Sequence, residues 1–183
     1  MSVRRFVLRW CAAVMAMGAF LVFVRCGKTS PPSVEEMFVS IGTDAEIDNY
    51  KAALQRDPNN LQALIGLGNL YYQTNQDSEA IENFEKALKL DPSNSNVRTD
   101  MAVCLRRAGK CDRAIDELKK AISSNPRHPQ SRYNLGVILI QDKNDVAGGI
   151  RAWEGILDNI PEYPYRSQLE QEIRRLRAGT PHR

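Results

Sequence analysis

The chain has 183 residues, of which 43% are hydrophobic, 26% charged and 7% aromatic, so it carries enough apolar surface to exclude disorder throughout. Nine prolines and eleven glycines are too few for a collagen-like or low-complexity chain. Five basic residues precede the first acidic residue, Glu35, and the remaining 20 basic and 22 acidic residues leave a charge of −2, which excludes the basic surface of a nucleic-acid-binding domain.

The N-terminus contains a long apolar run. Residues 6–24 are nineteen residues with one charge, Arg9, and as a helix they would extend about 28 Å, close to the thickness of a bilayer core. We therefore predict an N-terminal signal-anchor or transmembrane helix over residues 1–25. A cleaved secretory signal, cut after Ala16-x-Gly18, stays open as the alternative. A core helix is disfavoured because no polar stripe interrupts the run.

The flanks of this run indicate its orientation. Arg4, Arg5, Arg9 and the α-amino group stand at its N-terminal side and only Arg25 and Lys28 at its C-terminal side, which favours a cytoplasmic N-terminus and a domain on the outer side of the membrane. Residues 26–43 are predicted to be a linker with room for a short helix, and Ser30-Pro31-Pro32-Ser33 within it is a stiff spacer.

The rest of the chain is periodic. Asp-Pro or Asn-Pro pairs stand at Asp57-Pro58, Asp91-Pro92 and Asn125-Pro126, and a further proline follows at Pro161, so the intervals are 34, 34 and 35 residues. A fixed period of this length is typical of a solenoid built from one supersecondary unit.

The motif within each unit resembles the tetratricopeptide repeat (TPR) family. The first complete unit contains Leu64-x-x-Leu67-Gly68-x-x-Tyr71, then Ala80-x-x-x-Phe84-x-x-Ala87 and Pro92, and only the family's tryptophan is replaced, by Leu64. The resemblance implies an all-α superhelix of helix-turn-helix repeats behind the transmembrane helix. We expect a TPR domain over 44–178, with a degenerate half repeat at 44–60, repeats at 61–94, 95–128 and 129–163, and a capping helix at 164–178.

Small and large residues alternate in this motif for a packing reason. Gly68 and Ala80 are small where the two antiparallel helices of a unit approach closely, and Tyr71 and Phe84 fill the remaining space. Each helix pair leaves an apolar face open, so neighbouring units must stack and the last one needs a cap. In the third repeat we expect one extra residue in the turn between the helices.

Catalytic chemistry is not indicated. His128 and His182 have no cysteine or carboxylate cluster at metal-ligand spacing, and Gly27-Lys28-Thr29 lacks the strand and first glycine of a phosphate-binding loop. We therefore predict that the protein is not an enzyme, that it holds no metal or cofactor and that it has no small-molecule substrate. Two interpretations of Cys104 and Cys111 stay open: a disulfide outside the cytoplasm, or buried apolar thiols.

The resemblance implies that the first helix of each unit lines a concave groove that binds another protein or an extended peptide. The predicted partner-binding residues are Asn69, Tyr72, Gln73, Val103, Arg106, Arg107, Tyr133, Val137 and Ile140. We expect Arg106 and Arg107 to be solvated and to select acidic or C-terminal carboxylate groups. The family members that clamp a terminal carboxylate do so with Lys and Arg spread over three units. At the matching positions this chain has Ile65, Asn69, Asp100, Gln130 and Asn134, and only Asn69 fits the family's pattern.

The last repeat and cap are also similar to TPR proteins of cytochrome c maturation, through Ile150-Arg-Ala-Trp153-Glu-Gly-Ile-Leu157 and the stretch from Pro161 to Leu176. This resemblance implies a single-pass protein of the bacterial inner membrane with a periplasmic TPR domain that acts as an assembly or chaperone factor. The alternatives are a scaffold for pilus, envelope or secretion assembly, and a cytoplasm-facing regulatory adaptor of an enzyme.

Overall fold

The computed structural model describes residues 34–179, with side chains from Thr43 onward, and over that range the chain is helical without a strand. The chain divides after Gly42, and Thr43 to the C-terminus is one compact unit. The eight helices are α1 (Val34–Arg56), α2 (Leu61–Gln73), α3 (Asp77–Leu90), α4 (Ser95–Arg107), α5 (Cys111–Ser124), α6 (Pro129–Gln141), α7 (Val146–Asn159) and α8 (Arg166–Arg177). They form the TPR-like superhelix that the period predicts.

The predicted transmembrane segment at 1–25 lies outside the described residues. Among the helices of 34–179, none is both long and apolar enough to cross a bilayer. Helix α1 begins at Val34, inside the segment 26–43 for which the sequence predicts a linker, and continues through the first part of 44–60.

The Asp-Pro and Asn-Pro pairs end each unit through a local hydrogen bond. The side chains of Asp57, Asp91 and Asn125 each accept a bond from the backbone N–H two residues later, at 3.0–3.1 Å. These turns stop one helix, and after the first two of them an asparagine caps the next helix: Asn60 accepts from Ala63 N at 2.9 Å and Asn94 from Val97 N at 3.1 Å.

Helix pairs close where the sequence places glycine. A Cβ at Gly68 would lie 2.6 Å from Cε1 of Phe84, and a Cβ at Gly136 would overlap the indole of Trp153. The two helices of a repeat therefore approach as closely as the large side chain of the second helix permits. This confirms the predicted pairing of small and large positions in the first repeat, and the third repeat has the same pairing.

The turns inside the repeats share one backbone feature. Asn75, Gly109 and Asn144 all have φ between 56° and 74°, the left-handed region that glycine and asparagine tolerate best. The third turn spans residues 142–145, one more than the turns at 74–76 and 108–110, as the sequence predicts.

Helix α8 caps the last repeat. Leu169 and Ile173 of α8 are buried with Trp153, Ile156 and Ile160, so the cap covers the apolar face that α7 would otherwise leave open. Arg166 adds a hydrogen bond from Nη1 to the carbonyl of Leu157 at 3.0 Å, which ties the start of α8 to the end of α7.

Candidate functional site

The candidate site is the surface formed by the first helices of the three repeats, α2, α4 and α6, and we call it the groove. Side-chain contacts place these helices next to one another: Thr99 Oγ1 of α4 lies 2.7 Å from Ser131 Oγ of α6, and the guanidinium of Arg107 at the end of α4 lies over the ring of Tyr72 at the end of α2. On this surface Asn69, Tyr72, Val103 and Val137 are half-buried, while Gln73 and Tyr133 are exposed.

Arg107 is exposed to solvent, but its guanidinium is paired within the chain. Its guanidinium contacts Asp77 Oδ1 (2.9 Å from Nε and 2.5 Å from Nη2), Asn75 Oδ1 and the carbonyl of Tyr72, and its Cζ lies 4.7 Å from the centre of the Tyr72 ring. The side chain therefore joins the second repeat back to the turn of the first.

Arg106 joins the second repeat to the third. Its Nε donates to Asp142 Oδ2 at 2.5 Å and its Nη2 to Gln141 Oε1 at 2.8 Å, both at the end of α6. The expectation that Arg106 and Arg107 are available to a ligand's carboxylate needs correction, because in the free protein each already binds a carboxylate of a neighbouring repeat.

Ile140 also differs from its predicted place. It is 8% exposed and packs with Ile150 and Trp153, and a Cβ at Gly149 would overlap its side chain. Ile140 therefore belongs to the core between α6 and α7 and not to the groove surface, because the absence of a side chain at Gly149 lets it pack against α7.

The candidate disulfide is not formed. Cys104 and Cys111 are free thiols, with Cys104 fully buried in α4 and Cys111 half-buried at the first residue of α5. Burial raises the pKa of the Cys104 thiol to about 11, so this thiol stays protonated at neutral pH and behaves as an apolar core residue.

A cavity of about 600 Å³ opens where the groove meets the cap, and we call it the C-terminal pocket. Three groove positions of α6 form one wall: Tyr133, Val137 and Gln141. The opposite wall comes from the cap and the loop before it. That wall consists of Tyr163, Tyr165, Gln168, Leu169, Glu172 and Arg175, with Trp153 at the base.

Four of the ten residues that line this pocket are aromatic. Tyr133 stacks on Trp153 with ring centres 5.7 Å apart, and the indole Nε1 donates to the carbonyl of Tyr133 at 3.0 Å, which holds the stack in place. Tyr163 and Tyr165 meet edge to face at 5.9 Å. Tyr133 is 45% exposed and Tyr165 62%, so large apolar faces are open to solvent in a concave place. Such a pocket suits the anchor side chain of a bound protein.

One carboxylate on the groove has no counter-charge. Asp100 of α4 is half-buried and makes no hydrogen bond or ion pair with any residue in the described range. Burial raises its pKa to about 6, because the charged form loses water without gaining a cation.

A chain of polar contacts joins the second and third repeats beneath the groove. The ring of His128 has Nε2 2.7 Å from Asn96 Oδ1 and Nδ1 2.6 Å from Ser131 Oγ; Ser131 then contacts Thr99, whose hydroxyl donates to the carbonyl of Ser95 at 2.7 Å. Because that carbonyl only accepts, Thr99 donates to it, Ser131 donates to Thr99, and Nδ1 of His128 must carry a proton. Burial lowers the pKa of His128, so the neutral Nδ1–H tautomer fits, with the Asn96 amide turned to donate to Nε2.

Two features were not predicted from the sequence: the wall of the C-terminal pocket that the cap supplies, and the chain of polar contacts around His128. The two aromatic residues of Tyr163-Pro164-Tyr165, in the turn after the third repeat, were the available signal for the pocket. His128 stands 34 residues after Asn94 and 68 after Asn60, the capping positions of the other repeats, so its departure from asparagine was visible too. Within residues 34–179 no group of three or more His, Cys, Asp or Glu side chains is arranged to hold a metal ion.

Comparison with known proteins agrees with this architecture. The family model of the cytochrome c-type biogenesis protein H TPR domain matches residues 49–167. No curated protein matches the chain significantly.

Several solved structures share the fold. A crystal structure of MamA is 24% identical, with a TM-score of 0.63, over 79% of this chain and 90% of that one. The first TPR domain of Spaghetti (RPAP3), bound to the HSP90 peptide SRMEEVD, is 20% identical, with a TM-score of 0.56, over 64% and 95%. The type III secretion translocator chaperone SycD of Yersinia enterocolitica is 20% identical, with a TM-score of 0.55, over 62% and 85%. At these identities the likeness concerns the fold alone.

Proposed function

Because the chain belongs to the family of the cytochrome c-type biogenesis protein H TPR domain, whose fold is that of a protein-interaction scaffold, we propose that it is a membrane-tethered assembly factor of the cytochrome c maturation type. It holds a segment of a partner protein along the groove, with an apolar side chain of that segment in the C-terminal pocket. It carries out no reaction of its own.

The observation that carries this proposal is the C-terminal pocket. Groove positions of α6 continue directly into a half-open cavity of about 600 Å³ with four aromatic side chains, so an elongated ligand on the groove gains a concave anchor site at one end. Large aromatic side chains in such places supply much of the free energy of protein recognition. The structure of the Spaghetti TPR domain with an HSP90 peptide supports the idea that a fold of this size accommodates a short peptide.

The tether and compartment are proposed from the sequence. The apolar run at 6–24 is long enough to span a bilayer, and the basic residues before it favour a periplasmic domain. The rival functions, a scaffold for pilus, envelope or secretion assembly and a cytoplasm-facing regulatory adaptor, differ in partner and in compartment. A reporter fused after Arg183 and active on only one side of the membrane separates the periplasmic proposals from the cytoplasmic one.

A pull-down tests the site itself. The full-length tagged chain is used as bait in three forms: unchanged, Tyr133→Ala, and Leu90→Ala as the matched control. Leu90 is an exposed apolar residue of α3 outside the pocket, with 41% of its surface open. We expect the unchanged chain and the control to retain a cytochrome c precursor or another maturation protein, and Tyr133→Ala to lose it.

The proposal makes a quantitative statement about Tyr133. Truncation of a half-open anchor aromatic costs about 1–3 kcal/mol of binding free energy. Titration of the purified partner should therefore show a Kd increase of roughly 5–150-fold. Partner binding that is equal in all three forms would place the interaction on the convex face or the outer side of the cap.

A further inference from the structure

We infer that the groove recognises a basic segment of its partner, in which an apolar or aromatic side chain enters the C-terminal pocket and a lysine or arginine three or four residues away lies against Asp100. This inference rests on the proposed function, because it names the chemistry of the ligand at the same site. It also reverses the charge that the sequence alone predicts for the ligand.

The cations of the groove are already neutralised. Arg107 binds Asp77 and Arg106 binds Asp142, each through a guanidinium–carboxylate contact at 2.5 Å. An acidic ligand would have to compete with these two carboxylates, which the chain itself holds in place. The two arginines therefore stabilise the stacking of repeats and leave no free positive charge of their own for a ligand.

Asp100 lies on the groove side of α4. It shares one helical stripe with Asn96, Val103 and Arg107, at spacings of four, three and four residues. The ends of that stripe contact first helices or their caps: Asn96 contacts His128 before α6, and Arg107 contacts Tyr72 of α2. The stripe thus follows the row of first helices that forms the groove.

The opposite face of α4 is turned toward the second helices. Arg98 and Met101 line a different cavity, of about 300 Å³, together with Glu85 of α3 and Glu117 of α5. The charges on that side are paired, since Arg98 binds Glu117. Asp100 lies on the other face of α4, so the cations of this cluster form no ion pair with it.

Within the described residues, Asp100 is the groove carboxylate without a cation. Glu172, in the C-terminal pocket, has Arg175 within 3.5 Å, whereas burial alone accounts for the raised pKa of Asp100, at about 6. A cation placed next to Asp100 compensates for the hydration that its carboxylate lost when the chain folded. Charge complementarity at this point therefore selects a positive side chain.

The distance from Asp100 to the pocket suits one short segment. Thr99 and Ser131 touch, so α4 and α6 lie side by side at this level, with axes about 8–10 Å apart. Asp100 follows Thr99 by one residue and Tyr133 follows Ser131 by two. The two residues therefore lie about 1.5 Å and 3 Å along their helix axes from the level at which Thr99 and Ser131 touch. Helical residues three or four apart have Cβ atoms about 5–6 Å apart, and a lysine side chain extends far enough to cover the remainder.

The pocket walls also tolerate positive charge. Tyr133 and Tyr165 expose ring faces, and ring faces attract cations. The chain already uses this contact elsewhere, with Arg107 over Tyr72 at 4.7 Å. A basic residue that flanks the apolar anchor therefore meets carboxylate on one side and aromatic rings on the other.

Matched synthetic peptides test the inference. The probes are three fluorescein-labelled amphipathic 18-residue helices with one phenylalanine anchor, and with lysine, glutamine or glutamate at three and four positions on either side. Their binding to the full chain in phosphatidylcholine nanodiscs is measured by fluorescence anisotropy at pH 7.5, with empty nanodiscs as the blank. The variants are Asp100→Asn, Tyr133→Ala and, as a matched control, Asp116→Asn on the exposed face of α5.

We expect the lysine peptide to bind at least tenfold more tightly than the glutamate peptide, with the glutamine peptide between them. Asp100→Asn should reduce this preference to within about threefold, and Asp116→Asn should leave it unchanged. Circular dichroism of each variant confirms that the fold is kept.

The outcomes separate the two proposals. Binding that Tyr133→Ala abolishes but that does not depend on peptide charge overturns the inference and leaves the groove function standing. Tighter binding of the glutamate peptide, or a lysine preference that survives in Asp100→Asn, also overturns it. Binding of none of the peptides, or binding that Tyr133→Ala leaves intact, overturns both.

Discussion

The replacement of Asp100 by asparagine should stabilise the free protein at neutral pH. Burial raises the pKa of this carboxyl from 3.8 to about 6, so the folded chain holds the proton more tightly than the unfolded chain does. The stability that this group contributes is therefore complete below about pH 4 and is lost as the pH rises through about 6. Asparagine has nearly the same shape and no charge, so it avoids the loss.

The size of the effect follows from the shift. About two pKa units correspond to an upper limit of about 3 kcal/mol at pH 7.5. Because Asp100 is only half-buried, water screens part of this cost, and we expect a gain of about 1–2 kcal/mol in the free energy of unfolding. At pH 4, where the folded carboxyl is protonated in the unchanged chain, the gain should fall below about 0.5 kcal/mol.

Urea unfolding followed by circular dichroism measures this difference on residues 30–183, produced without the apolar leader. The assay is run at pH 4 and pH 7.5 on the unchanged protein, on Asp100→Asn and on the control Asp116→Asn, which should shift by less than about 0.5 kcal/mol at both pH values. A loss of stability in Asp100→Asn at pH 7.5, or an equal gain at both pH values, would refute the reasoning. The first result would mean that the carboxylate has a counter-charge in solution, and the second that its ionisation does not affect stability.

Three further predictions concern the same protein, with free energies taken from urea unfolding. Ala80→Trp should lower the free energy of unfolding by about 1–3 kcal/mol or more through overpacking, because Ala80 is fully buried between α2 and α3. Gln62→Ala, at an exposed position, should change the free energy of unfolding by less than about 0.5 kcal/mol. Equal shifts for the two variants would contradict the repeat register. Arg107→Ala should cost about 1–2 kcal/mol, through the lost ion pair and ring contact, and a negligible change would show that the first two repeats do not depend on it. Burial lowers the pKa of His128, so on acidification the unfolded chain takes up a proton before the folded chain does. The unchanged chain should therefore lose stability relative to His128→Gln as the pH falls below about 6.5. A stability difference between the two that is the same at pH 7.5 and pH 5 would argue against the buried neutral His128.

The helical repeat could be predicted because each step of it depends on a few neighbouring residues. A glycine at 68 requires a large partner at 84, an Asp-Pro pair ends a helix through its own backbone, and the same pattern returns after 34 residues. Packing and turn chemistry of this kind are local, so they are visible in a sequence without coordinates. The same reasoning explains why the extra residue in the third turn was predictable.

Only one wall of the C-terminal pocket, the one that α6 forms, could be predicted from the sequence. Tyr133 and Val137 followed from the register of α6, whereas Tyr163, Tyr165 and Leu169 depend on how the cap packs against the last repeat. The apolar stripe of α8 shows that the cap must cover α7, but it does not show which residues of the preceding loop then face the groove. A stripe specifies a buried face, and the exposed neighbours of that face depend on the packing angle.

The charge of the groove could not be predicted at all, for a reason that follows from the length of arginine. Register places the Cα of Arg106 and Arg107 at the end of a groove-lining helix, but each guanidinium lies several bonds away and takes the best carboxylate within reach. Those carboxylates, Asp142 and Asp77, stand 36 and 30 residues away in sequence, at the turns inside the neighbouring repeats. Once both arginines are paired within the chain, the short side chain of Asp100, which has no such reach, is left to determine the sign of the surface. The charge that a repeat protein offers its ligand is therefore the charge that remains after the repeats have joined one another, and it cannot be counted from the groove positions alone.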